Sequence, residues 1–170
     1  MRALGMLGRP APSCWNAGAK TRGMNMLYED FVAGQKEVVA GLRQMSAAAT
    51  AHGLEKDLVE LVKIRISQIN GCAFCLQFHL KLARQLGVEE RRLGLVAAWR
   101  DAGVFTPRER AAFDYAERLT ALAHRHLGDS DRPVAGMVFS ASEIEHLTIA
   151  IATINAWNRI AAALHFAPPA

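Results

Sequence analysis

From Met24 onward, apolar side chains recur at three- and four-residue intervals, the spacing that lines one face of an α-helix, and each run ends at glycine or proline. The first run predicts a helix over about 27–51, with Phe31, Val38, Val39, Leu42 and Met45 as its apolar face and Gly53 as its stop. A second covers about 55–70. There Leu58, Leu61, Val62, Ile66 and Ile69 keep a helical period although valine and isoleucine by themselves suit a strand. Gly71 separates it from a third helix, about 72–86, closed by Gly87, and a fourth over about 89–102 stops at Gly103. Thr106-Pro107-Arg108-Glu109 combines a capping box with proline at the first helical position and predicts a helix running to about 127. Ser140 and Glu143 repeat the capping-box spacing and open a last helix, about 141–165, stopped by Pro168 and Pro169. Between these two, the apolar piece 134–139 predicts one or two further turns. The pattern contains no strand, no glycine-rich phosphate loop and no internal repeat. The predicted fold class is all-α, with six to seven helices.

Residues 1–23 show no such period. They carry Pro10, Pro12, four glycines and four bases, Arg2, Arg9, Lys20 and Arg22, with no acid, and are expected to be a disordered, inert tail, or an artefact of a true start at Met24 or Met26, ahead of a helical domain over 24–170. That tail changes how the charge is read. The chain has 20 Lys and Arg against 16 Asp and Glu, but the whole excess of four lies before Met24, so the folded part is balanced and no nucleic-acid partner is expected. At 170 residues, 51% hydrophobic and 21% charged, the composition fits one domain or one subunit. Asn155, Trp157, Asn158 and Arg159 interrupt the most apolar stretch before it reaches the ~18–20 residues of a membrane span, so no membrane partner is expected either.

Three cysteines are too few for a disulfide framework. Cys14 falls in the tail, whereas Cys72 and Cys75 stand three apart at the start of a predicted helix, where unpaired backbone N–H groups favour a thiolate. Positions three apart on a helix lie ~5–6 Å from each other, within reach of a disulfide. His79 follows four residues later, and at 3.6 residues per turn the two thiols and the imidazole share one stripe. Three readings fit these residues: buried core side chains, a zinc site, or redox catalysis. A structural zinc needs a fourth ligand, and the chain has no second C-x-x-C or H-x-x-x-H to give one. A thioredoxin-like protein would place the pair after a strand, so a redox site here belongs to a helical fold. His124 and His126 fit favourable charges at a helix end, and His146, Asn158 and Arg159 on the last helix are secondary candidates. Trp99 and Trp157 are expected to be packing residues.

Glu60, eleven residues, Cys72-x-x-Cys75 and then x-x-x-His79, within Ile69-Asn70-Gly71-Cys72-Ala73-Phe74-Cys75, resembles the alkylhydroperoxidase D branch of the carboxymuconolactone decarboxylase-like superfamily. The closing run Ile154-Asn155-Ala156-Trp157-Asn158-Arg159 is similar to the last helix of those proteins, and the resemblance extends over about 24–166. It implies a six- to seven-helix alkylhydroperoxidase D-like bundle, assembled into trimers or hexamers, that reduces organic hydroperoxides without a metal or organic cofactor. It further implies that Cys75 is the peroxidatic thiol, that Cys72 resolves it, and that Glu60 and His79 relay its proton. A cytoplasmic antioxidant enzyme regenerated by a small thiol, thioredoxin or a lipoylated protein is expected. The superfamily's decarboxylases, which do not use a C-x-x-C pair, and a redox-sensing oligomer are the alternatives. One position departs from the pattern: Phe74 stands where the best-studied members carry a second histidine.

Overall fold

The computed structural model describes residues 26–51, 53–122, 136 and 138–169. The expected tail, with Cys14, and His124 and His126 lie outside the described residues. Among those described there are seven α-helices and a single 3-10 turn, with no strand: α1 (Tyr28–Gly34), α2 (Lys36–Ala51), α3 (Lys56–Ile69), α4 (Ala73–Gln85), α5 (Glu90–Leu95) leading into the 3-10 turn Val96–Ala98, α6 (Pro107–Thr120) and α7 (Ala141–Ala163). The all-α expectation is borne out. No helix among the described residues is long and apolar enough to cross a membrane.

Helix α3 is the axis of the molecule. It packs on α4, α6 and α7, and α2 lies along α7. Leu58, Val59, Leu61, Val62, Ile64 and Ile66 are all buried, so α3 is apolar nearly all round, as a helix enclosed by others must be. Two expected N-termini form as read: Thr106 accepts from the Glu109 N–H while the Glu109 side chain returns to the Thr106 N–H, and Ser140 with Glu143 repeats the box at the start of α7.

Three boundaries and one apolar face differ from the periodic reading, among them the end of α6, at Thr120 rather than about 127. The first helix is broken at Gln35, whose φ of −122° and ψ of 45° leave the helical region. The bend lets α1 fold back so that Phe31 meets Trp157 and Phe166, and the Met26 N–H reaches the Leu164 carbonyl at 3.2 Å. A one-residue interruption beside Gly34 barely disturbs a hydrophobic period, so the sequence does not register it. On α2, Val39 is buried but Val38 and Met45 remain 51% and 43% exposed, because the α7-facing stripe is narrower than the run of apolar residues. The fourth helix tightens into its 3-10 turn after Leu95, six residues in.

The α3–α4 turn positions the chemistry. Gly71 takes φ +64°, its N–H bonds the Gln68 carbonyl, and the Cys72 N–H bonds the Ser67 carbonyl at 3.0 Å. These are the paired bonds of a Schellman motif, and the left-handed residue it needs is glycine. Cys72 therefore closes α3 and at the same time stands as the N-cap of α4.

Candidate active site

As N-cap of α4, Cys72 presents its sulfur to the unpaired N–H groups of the first turn, and its Sγ accepts from the Cys75 N–H at 3.3 Å. Both thiols are free and buried. The Cys75 S–H donates to the Cys72 sulfur, and with smaller contributions from backbone donors and the Asn158 side chain this brings the Cys72 pKa down to about 7 against burial. The same S–H···S bond, together with burial, pushes Cys75 up. Of the two thiols Cys72 is the more acidic, and a proton is shared between the sulfurs. Only Cys75 of the two lines the adjoining cavity, with His79, Phe74 and Trp157.

Glu60 and His79 come together from α3 and α4. Glu60 Oε2 lies 2.7 Å from His79 Nδ1, and Glu60 Oε1 accepts from Lys63 Nζ at 2.8 Å. Burial opposes ionisation of Glu60, but the bonds to His79 and Lys63 outweigh it and hold the carboxyl below its ordinary value. Burial also disfavours the imidazolium, and His79 is lowered despite the Glu60 charge. An ionised Glu60 requires the hydrogen on Nδ1 of a neutral His79, so the Nε2 lone pair is left to take up a proton.

The four residues singled out in the sequence, Glu60, Cys72, Cys75 and His79, thus fall in one neighbourhood. Phe74, in place of a histidine, packs on Tyr28 and Phe166 with ring centroids 4.9 and 5.4 Å away, which makes that wall apolar. Trp99 is a packing residue whose Nε1–H donates to Glu117. Trp157 both packs, edge-on to Tyr28, and lines the cavity. His146 bonds the Ser142 carbonyl and stands outside the cavity lining, while Arg159 donates back to Asn155 on its own helix. Among the described residues, no group of three or more His, Cys, Asp or Glu is placed to hold a metal ion.

Two members of the site went unread in the sequence. Lys63 is buried beside Glu60, and the available signal was a charged pair three apart on an otherwise apolar helix. Asn158, a secondary candidate on the last helix, has a role there that its sequence position did not show: it is fully buried behind the thiols. Its Oδ1 accepts from Asn70 Nδ2 at 2.8 Å, which turns its Nδ2 toward Ser67 Oγ, at 3.2 Å, and toward the two sulfurs. Asn155 extends the network by accepting from Asn70 and donating to Thr120. Replacing Asn158 by leucine is expected to remove a donor to the thiolate. The midpoint of Cys72 alkylation with pH, expected near 7 in the wild type, should then move up toward the ordinary thiol range. Orphaning Asn70 and Ser67 should cost ~1–3 kcal/mol in a denaturant melt.

An all-helical domain with a C-x-x-C pair at a helix start, backed by a buried Glu–His pair, defines the class. The family model described as the carboxymuconolactone decarboxylase family matches residues 36–118. The Bacillus subtilis protein YdfG, itself uncharacterized, is 35% identical over 105 residues, 62% of this chain and 71% of that protein. The alkyl hydroperoxide reductase AhpD of Rhizorhabdus wittichii is 37% identical over 89 residues, 49% of this chain and 50% of that one. Among solved structures, ATU0492 of Agrobacterium tumefaciens, a protein of unknown function, superposes with a TM-score of 0.77 at 33% identity, covering 83% of this chain and 97% of the other. The chain belongs to the carboxymuconolactone decarboxylase family, as an alkylhydroperoxidase D-like member.

Proposed function

We propose that this protein is a dithiol peroxidase that reduces organic hydroperoxides at Cys75, closes a disulfide to Cys72, and is returned to the dithiol by a small thiol, thioredoxin or a lipoyl-type reductant. The observation that carries this reading is that Cys75 lines the cavity with His79, while Cys72 stands behind it with its sulfur on the Cys75 N–H.

Ionisation of the pair passes one thiol proton to His79 Nε2, where the Glu60 carboxylate balances the imidazolium; the other proton stays between the sulfurs. With that proton on Cys72, the Cys75 thiolate attacks the distal peroxide oxygen. The O–O bond breaks, Cys75 becomes a sulfenic acid, and the leaving alkoxide takes the proton from His79 to give the alcohol. His79 then accepts the Cys72 proton as that sulfur attacks Cys75. The S–S bond forms, the S–O bond breaks, and the departing hydroxide leaves as water with the proton from His79. Two thiols supply both electrons. The low basicity of His79 makes each proton easy to release.

The reading includes an antioxidant role in the cytoplasm and a homo-oligomer, trimer or hexamer, which the exposed Val38, Met45 and Ile69 support. It calls for no metal or organic cofactor. The test is to add one equivalent of cumene hydroperoxide to the reduced protein. One equivalent of alcohol and the loss of two thiols, located at Cys72 and Cys75, are expected, with turnover once dithiothreitol or dihydrolipoamide is added. Intact hydroperoxide with both thiols still titratable would sink the proposal and favour the family's lyase chemistry.

A further inference from the structure

The cavity beside Cys75 carries a charge imbalance that thiol chemistry does not require. Lys63 lines it, is 8% exposed, and uses one of its three N–H donors on Glu60; no other acceptor meets it among the described residues. Arg43, from α2, lines the same cavity, bonds the Tyr28 hydroxyl at 3.4 Å, and has no carboxylate partner among the described residues. The one acid beside them, Glu60, pairs with Lys63 and His79, so the two cations exceed the carboxylates at the site by one. Transfer of a thiol proton to His79 is internal to the site and leaves the sum unchanged. The rest of the wall is chiefly apolar, with Tyr28, Phe74, Phe78 and Trp157 supplying four rings.

Unfilled donors on the buried Lys63 are costly, and a ligand carrying one negative charge removes that cost, with Arg43 as a second, exposed cation on the same cavity. A dianion such as a phosphate monoester would reverse the imbalance rather than cancel it. The cavity measures about 190 Å³, somewhat more than the ~150 Å³ of an engineered cavity that holds benzene. It accommodates one ring with small substituents. We propose that the substrate is a small, flat organic hydroperoxide that also bears a carboxylate, seated with the carboxylate on Lys63 and Arg43, its body against the rings, and its peroxide toward Cys75. This inference rests on the peroxidase reading for the reaction, but not for the binding.

The experiment compares cumene hydroperoxide with its 4-carboxylate, and 4-isopropylbenzoate with the neutral 4-isopropylbenzamide as unreactive ligands that shield Cys75 from iodoacetamide. In the wild type, kcat/KM for the carboxylate is expected to exceed that for cumene hydroperoxide at least tenfold, mainly through KM, and the benzoate is expected to shield at lower concentration than the amide. Arg43→Gln, at an exposed position, should bring both ratios close to one, and Arg43→Lys should restore part of each. Equal handling of the two hydroperoxides by the wild type, or a ratio unmoved by Arg43→Gln, would overturn the assignment. So would an equal slowing of both substrates, which would mean that the cations serve the thiolate. If neither hydroperoxide is consumed, the peroxidase reading fails and shielding alone decides: preference for the benzoate that Arg43→Gln removes upholds the anion site, and no preference overturns it.

Discussion

Cys75→Ser is expected to lose nearly all hydroperoxide turnover, while Cys72→Ser is expected to react once and then stall with oxidised Cys75. The two substitutions differ because the sulfurs do. Cys75 faces the cavity, whereas Cys72 is folded into the α3–α4 turn as a helix cap. Serine is among the best N-cap residues, so Cys72→Ser should keep the turn and the fold while removing the thiol that closes the disulfide. Without that thiol the Cys75 sulfenic acid persists and, with excess peroxide, climbs to the sulfinic acid. Mass spectrometry of the intact chain after peroxide should show addition of one and then two oxygens in Cys72→Ser, and no addition at residue 72 in Cys75→Ser. Oxygen found first on Cys72 in Cys75→Ser, at the wild-type rate, would reverse the assignment of the two thiols.

Glu60→Gln is expected to slow oxidation of Cys75 by ~10²–10⁴-fold, the usual worth of general acid–base assistance. Without the carboxylate, nothing balances an imidazolium at His79, and the proton has no intermediate resting place. The substitution also leaves Lys63 as a buried charge with no partner, which costs ~3–5 kcal/mol when one member of a buried pair is removed. Stability and catalysis can be separated by adding Lys63→Met. The double variant should regain much of the lost stability in a thermal melt yet remain slow in a stopped-flow trace of thiol loss. Recovery of rate along with stability would make Glu60 a structural residue. The pH dependence has a definite sign as well. Glu60 and His79 both have lowered values in the folded state, so their contribution to stability is complete above about 6.5, the ordinary histidine range, and is lost as the pH falls.

Which parts of this were legible from the residues alone follows from what periodicity records. The long periodic runs gave α3, α4, α6 and α7 because each has a wide buried stripe and one definite end: a stop at Gly71 after α3 and at Gly87 after α4, a start at the capping boxes before α6 and α7. The break at Gln35 was not legible, since a turn of one residue leaves the apolar spacing almost intact. Cys72, Cys75 and His79 could be placed on one stripe because they share a helix. Glu60 required a crossing between two helices, which the spacing suggests by resemblance but does not determine. Asn158, about 80 residues away along the chain, and the cavity walls from α1 and α2 required the tertiary structure itself. A polar residue in the middle of an apolar helix announces only that it must find a partner, not which one.

The doubly used Cys72 turn has an implication for how such a protein can change over time. In the proposed reaction, everything that moves protons and electrons lies within the twenty consecutive residues from Glu60 to His79, held in register by a single glycine-dependent turn. Lys63, Phe74 and Phe78 of the same stretch also line the cavity, but the rest of the surface that would select a substrate, Tyr28, Arg43 and Trp157, comes from three other helices. Part of the selecting surface is therefore written in stretches of the gene apart from the reactive residues. A mutation at Arg43 or Trp157 can retune which molecules are admitted without disturbing the thiol pair, and a lineage can drift between substrates while inheriting the same reactive hairpin unchanged.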